Sequence, residues 1–159
     1  MLAIRKAQAQ DVGTIVEMIC GLAEYEHLDH LAEVTEADLL RDGFGDLPRF
    51  HCVIADWDGN PAGFALYFYN YSTFKGRPGI YLEDLFVWPK YRGKGIGKGL
   101  LMYIGRIAVE ERCGRYEWQV LDWNTPSIEF YEGLGAKRMK EWLPMRVEGE
   151  ALTELAMKS

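Results

Sequence analysis

YLEDLFVWPKYRGKGIGKGLL, running from Tyr81 to Leu101, packs a β-strand, a glycine-rich basic loop and the start of an amphipathic helix into one stretch. In the loop, Arg92, Gly93, Lys94, Gly95, Gly97 and Lys98 alternate small residues with cationic ones. Glycine lets backbone N–H groups approach an anion closely, and a helix N-terminus adds the positive end of its dipole. A phosphate-bearing ligand is therefore expected here. A dinucleotide loop needs G-x-G-x-x-G, but the registers opening at Gly93, Gly95 and Gly97 end on Lys98, Leu100 and Met102. A nucleoside-triphosphate loop needs G-x-x-x-x-G-K-[ST], and here Arg92 takes the first place while Gly99 follows Lys98. Both are excluded. The spacing that remains is R-x-x-G-x-G, from Arg92 to Gly97, directly after a strand and the breaker Pro89.

The 159 residues suit one domain with a substantial core, and 48% apolar with 26% charged residues is an ordinary globular composition. A net charge of −6 argues against a general nucleic-acid binder and suits a cationic small substrate. Cys20, Cys52 and Cys113 form no C-x-x-C pair, which indicates neither a zinc framework nor a disulfide scaffold and fits a reducing compartment. Each reads as a small buried residue. His27, His30 and His51 lack metal-ligand spacing, so no metal is expected. No apolar stretch approaches a membrane span, and MLAIRKAQ has no long apolar export signal; the expectation is a cytoplasmic protein.

Outward from the loop, hydrophobic periodicity predicts strands over Leu2–Ala7, Phe50–Trp57, Pro61–Tyr71, Ile80–Trp88 and Tyr116–Leu121. Helices are predicted from Asp11 to Tyr25, from a Thr35 cap, from Ile96 to about Arg112, and from Thr125 to a cap at Gly135. Asp58-Gly59-Asn60 reads as a hairpin turn and Ser72 to Gly79 as a loop. One or two short strands and a helix from about Glu150 complete the chain. The order β-α-α-β-β-β-α-β-α-β indicates a mixed α/β domain with one central sheet.

The R-x-x-G-x-G loop resembles the pyrophosphate-binding loop of the GNAT acyltransferases, and Asn124 with Tyr131 matches an asparagine and a tyrosine of that family. Within it, the chain resembles the diamine (spermidine/spermine) and thialysine acetyltransferases from its first strand to its last helix. The resemblance rests on Leu22-Ala23-Glu24-Tyr25-Glu26, Asp42-Gly43-Phe44-Gly45, Phe64-Ala65-Leu66-Tyr67, Tyr81-Leu82-Glu83-Asp84, Tyr91 to Gly97, and Trp123-Asn124-x-Pro126-Ser127-Ile128-x-Phe130-Tyr131. The stretch Gly135 to Trp142 is shorter than in the animal enzymes. The resemblance implies one GNAT domain over residues 1–159, with a mostly antiparallel mixed sheet flanked by helices. It also implies acetyl-coenzyme A (acetyl-CoA) as cosubstrate, a homodimer, and an amine acceptor.

Residue by residue, it places the cofactor's pantetheine arm along Leu85, Phe86 and Val87. The pyrophosphate falls on Arg92, Gly93, Lys94, Gly95, Ile96, Gly97 and Lys98, and further cofactor contacts on Asn124, Thr125, Pro126 and Ser127. Tyr131 is the implied proton donor to the departing sulfur, a role that suits a phenol with an ordinary pKa near 10. An alkylammonium near pKa 10.4 is neutral in roughly one molecule in a few thousand at pH 7, so the site must remove a proton before direct attack through a tetrahedral intermediate. Glu83 is the favoured acceptor of that proton; its neighbour Asp84 points to the opposite face unless a bulge intervenes. Tyr25, Glu26, Glu83, Asp84, Glu117, Trp118 and Gln119 are the candidate substrate contacts, although Tyr25 and Glu26 read equally well as a solvated helix end. Tyr67, Tyr69 and Tyr71 are expected as exposed aromatics. Tyr25-Glu26 and the net charge narrowly favour a polyamine or diamine as acceptor, with lysine-like amino acids, protein amines and a degenerate acyl-coenzyme A-binding module as the alternatives.

Overall fold

The computed structural model describes residues 1–158. The alternating stretches become β1 (Leu2–Lys6), β2 (His51–Trp57), β3 (Asn60–Ser72), β4 (Arg77–Val87) and β5 (Arg115–Trp118), which lie in one sheet in that order. The first three pairings are antiparallel and β4–β5 is parallel. The helices are α1 (Val12–Tyr25), α2 (Glu36–Gly43), α3 (Ile96–Glu110), α4 (Thr125–Gly133) and α5 (Glu150–Met157). The chain forms two compact units, one from Met1 to Leu121 with the whole sheet, the other from Asp122 onward.

Alternation along the strands divides the core of the first unit into two layers. Cys52 and Ile54 of β2, Phe64 and Leu66 of β3 and Phe86 of β4 join Ile15 and Met18 of α1 and Leu39 of α2 in one apolar cluster. Val53 and Ala55 are equally buried but point to the other face. That face carries α3: a Cβ at Gly99 would stand 3.0 Å from Leu2, and Ile4 beside it lies opposite Ala55. α3 buries Ile96, Leu100, Leu101, Ile104 and Ala108, and each such large aliphatic side chain contributes roughly 1.5–3 kcal/mol. Thr35 caps α2 through a reciprocal box: its hydroxyl accepts from the Asp38 N–H at 3.2 Å, while the Asp38 carboxylate accepts from the Thr35 N–H at 2.9 Å.

Four expectations need correction. The β3–β4 connection is shorter than Ser72 to Gly79, because Arg77, Pro78 and Gly79 already pair with Ser72, Tyr71 and Asn70. Residues 136–149 hold no strand. Leu143, Met145 and Val147 alternate there, but they remain exposed and Pro144 removes a ladder donor. Tyr67 is buried at 4% exposure and stacks on His51, whereas Tyr69 and Tyr71 are exposed. Cys20 is exposed although Cys52 is buried, with its thiol pushed up to about 12 by that burial.

α1 approaches β4 closely at Gly21, where a Cβ would lie 2.6 Å from the Trp88 ring and 2.9 Å from the Phe86 ring. That close approach fixes where the end of α1, with Tyr25 and Glu26, stands over the sheet. Gly21→Val overpacks the contact and should destabilise the protein by about 1–3 kcal/mol in urea unfolding. An unchanged midpoint would show that α1 is not seated as described.

Candidate active site

β4 carries the geometry. Leu66 pairs with Asp84 and Tyr67 with Leu82, which leaves Glu83 as the extra residue of a bulge. The bulge that would exempt Glu83 and Asp84 from strict alternation is present. Asp84, opposite Leu66, belongs to the α1 side of the sheet. Its carboxyl is pushed up to about 7, first by burial and then by the negative charges of Glu83 and Glu26. Glu26, the residue that caps the end of α1, is raised by burial and by Glu83. Glu26, Glu83 and Asp84 thus form one acidic group drawn from a helix end and a bulged strand.

The same strand loses a partner just beyond. Pairing with β5 runs from Gly79 opposite Arg115 to Leu82 opposite Trp118 and ends there. Beyond the Glu83 bulge, from Asp84 to Val87, β4 is paired only on its β3 side among the described residues, so one edge offers backbone donors and acceptors to an extended ligand. Leu85, Phe86 and Val87 lie on that edge, and the Phe86 side chain is buried in the core.

A short 3-10 turn, Pro89–Tyr91, then leads into the loop. Gly93 and Gly95 both adopt φ +79, a left-handed conformation that L side chains resist, and nothing lies within 4 Å of a Cβ at either. Gly95 caps α3, so the N–H groups of Ile96, Gly97 and Lys98 have no partner within the helix. Lys94 reaches over the Trp57 ring, 5.3 Å from its centroid, and Lys98 is exposed. Arg92 turns elsewhere: its Nε donates to the Val87 carbonyl at 3.0 Å, and its guanidinium lies 4.8 Å from the Tyr25 ring centroid and 5.8 Å from that of Phe86.

On the Asp84 side of the sheet the structure adds residues that the sequence did not single out. Phe68 stacks on Tyr81 at 5.2 Å, and Asn70 donates to Glu117 at 2.8 Å. Arg115 pairs with the same Glu117 oxygen at 3.1 Å. Glu117 is therefore already engaged, while Trp118 ends β5 and Gln119 follows it, exposed. Strand alternation of Phe68, Asn70 and Tyr81 was the available signal. In the second unit, Asn124 is buried and caps α4, accepting from the Ser127 N–H at 3.4 Å. Thr125 and Pro126 make the first turn, and Tyr131 lies about two turns along, its ring 5.4 Å from that of Phe130.

The sequence profile of the acetyltransferase (GNAT) family matches residues 14–136. The chain belongs to this family. It is 42% identical to the mouse (Mus musculus) thialysine N-epsilon-acetyltransferase over 96% of both chains. It is 37% identical to the human (Homo sapiens) spermidine/spermine N(1)-acetyltransferase-like protein 1 over 96% of this chain and 23% of that protein. Among solved structures, an integron cassette protein from the mobile metagenome of V. cholerae superposes with a TM-score of 0.84 at 27% identity, covering 99% and 98% of the two chains. The GNAT chain is an acyltransferase, and its chemistry is acetyl transfer to an amine. GNAT acetyltransferases use acetyl-CoA. The open space at Gly93 and Gly95, the α3 N-terminus and the free β4 edge fit a ligand that joins a diphosphate to an amide-bearing arm.

The Asp84 carboxyl gives a test by linkage. Unfolded aspartate titrates near 3.9, whereas folded Asp84 holds its proton up to about pH 7. Between those limits the folded state binds the extra proton, so its stabilising contribution is full below the lower value and is lost as pH rises through the upper one. In urea unfolding from pH 5 to 8, Asp84→Asn should gain stability relative to the parent as pH rises. A pH-independent difference would contradict the burial of this carboxyl.

Proposed function

We propose that this protein transfers the acetyl group of acetyl-CoA to a primary amine of a small multivalent cation, a diamine or polyamine such as putrescine, spermidine or spermine. The observation that carries the reading is the acidic group Glu26, Glu83 and Asp84 at the bulge where β4 frees its edge. Carboxylates there attract ammonium groups, and one of them can hold a proton near neutral pH.

In this reading Leu85, Phe86 and Val87 pair with the extended arm of acetyl-CoA, and Gly93 to Lys98 hold its diphosphate. Asn124 to Ser127 lie along the cofactor. The thioester supplies the acyl group. Glu83 accepts a proton from the ammonium, directly or through water, and releases the nitrogen lone pair. The nitrogen adds to the acyl carbon to give a tetrahedral intermediate. As it collapses the carbon–sulfur bond breaks, Tyr131 gives its proton to the departing sulfur, and the second proton of the nitrogen passes to the Tyr131 phenolate, directly or through water. Tyr25, Glu26 and Asp84 hold further ammonium groups, with Glu117, Trp118 and Gln119 along the acceptor's path. Residues 1–159 are read as one acetyltransferase domain, and the working form as a homodimer, which light scattering in solution would test.

A second acceptor has its own support. The likeness to the mouse thialysine enzyme over nearly the whole of both chains favours a lysine-like amino acid to the same degree. An initial-rate panel of putrescine, spermidine, spermine, lysine and thialysine decides between the two. The polyamine reading predicts the highest kcat/KM for a diamine or polyamine; a higher value for thialysine selects the second reading. Binding of acetyl-CoA with no amine acetylated would indicate a non-catalytic binding module. With the preferred amine, Tyr131→Phe should lower kcat by about 100-fold or more. Unchanged turnover would remove Tyr131 from the acid role.

A further inference from the structure

Arg92 opens the R-x-x-G-x-G loop, yet its side chain leaves the loop. Nε donates to the Val87 carbonyl, and the guanidinium lies over the Tyr25 ring, 4.8 Å from its centroid, and over the Phe86 ring, 5.8 Å from its centroid. Tyr25 is the last residue of α1 and Glu26 its cap, so the contact ties the helix end directly to the last residue of β4. A cation at that end of α1 also faces the negative pole of the helix dipole. Gly21 brings the helix down onto Phe86 and Trp88, and Arg92 then fixes its final residue.

We propose that Arg92 is a positioning residue for the amine acceptor: it sets Tyr25, and through it Glu26, against the Glu83–Asp84 bulge. The glycines and the helix N-terminus are left to bind the diphosphate. The inference rests on the acceptor-site reading above. It separates the loop's first residue from the rest of the motif: loss of Arg92 should injure use of the amine, not binding of acetyl-CoA. Lysine is no substitute, because it supplies a charge without the planar face or the Nε donor.

The experiment measures KM for acetyl-CoA and for spermidine in the parent, Arg92→Ala, Arg92→Lys, Tyr25→Leu and the Arg92→Ala/Tyr25→Leu double variant. Loss of a cation–aromatic contact and its hydrogen bond should raise the spermidine KM about fivefold or more in both Arg92 variants, with the acetyl-CoA KM within about twofold of the parent. Because the two residues act as one unit, the double variant should be no worse than the poorer single one. A raised acetyl-CoA KM with the spermidine KM unmoved, equal rises in both, rescue by lysine, or additive effects would each overturn the proposal. The NMR resonance of the Arg92 Nε–H reports the contact without turnover and should lose its ring-current shift in Tyr25→Leu. If the parent acetylates no amine of the panel, the acceptor reading fails, and an Nε–H shift insensitive to Tyr25→Leu then overturns the contact as well.

Discussion

The constraint on which the site depends is that β4 changes partners part-way along its length. Up to Leu82 it is a central strand, paired with β3 on one side and β5 on the other. At Glu83 an extra residue bulges, and beyond it one edge of the strand has no neighbouring strand among the described residues. An unpaired edge in a sheet attracts other strands, and proteins usually cover or blunt it. Here the edge runs directly into an anion-binding turn and a helix N-terminus, which makes it a place for an extended ligand with a charged end.

Charge follows the same line. The carboxylates of Glu26, Glu83 and Asp84 gather at the bulge, while Lys94 and Lys98 lie beyond Val87 with the amide-rich start of α3. Four strand steps of about 3.3 Å separate Glu83 from Val87, roughly 13 Å in all. A strand of that length therefore has a negative end and a positive end. This polarity suits a reaction that joins a cationic acceptor to an anionic donor. The chain's overall charge of −6 obscures it, because net charge reports a sum and the site depends on a gradient.

Much of this was legible in the residues. The loop spacing excluded two other phosphate-binding motifs, and the buried set of α3 matches its apolar face. Thr35 caps α2 as its hydroxyl suggested, and Gly135 follows α4 with φ +100. What sequence could not supply was register. Whether Glu83 or Asp84 turns toward α1 depends on one inserted residue in the ladder, and a bulge leaves no composition signal. The direction taken by Arg92 was likewise hidden, because a cation beside glycines reads as a phosphate ligand until its aromatic neighbours are placed. The expected strand after Gly135 shows the reverse limit: Leu143, Met145 and Val147 have the pattern, but a strand also needs a neighbour to pair with.

Amide hydrogen exchange with and without coenzyme A tests the central claim most directly. If the freed β4 edge and the glycine turn form one binding track, adding the ligand should slow exchange at backbone amides within Leu85–Val87 and within Gly93–Lys98 together. Exchange in β1 and β2 should stay unchanged. Protection confined to the loop, or absent from both segments, would contradict the account.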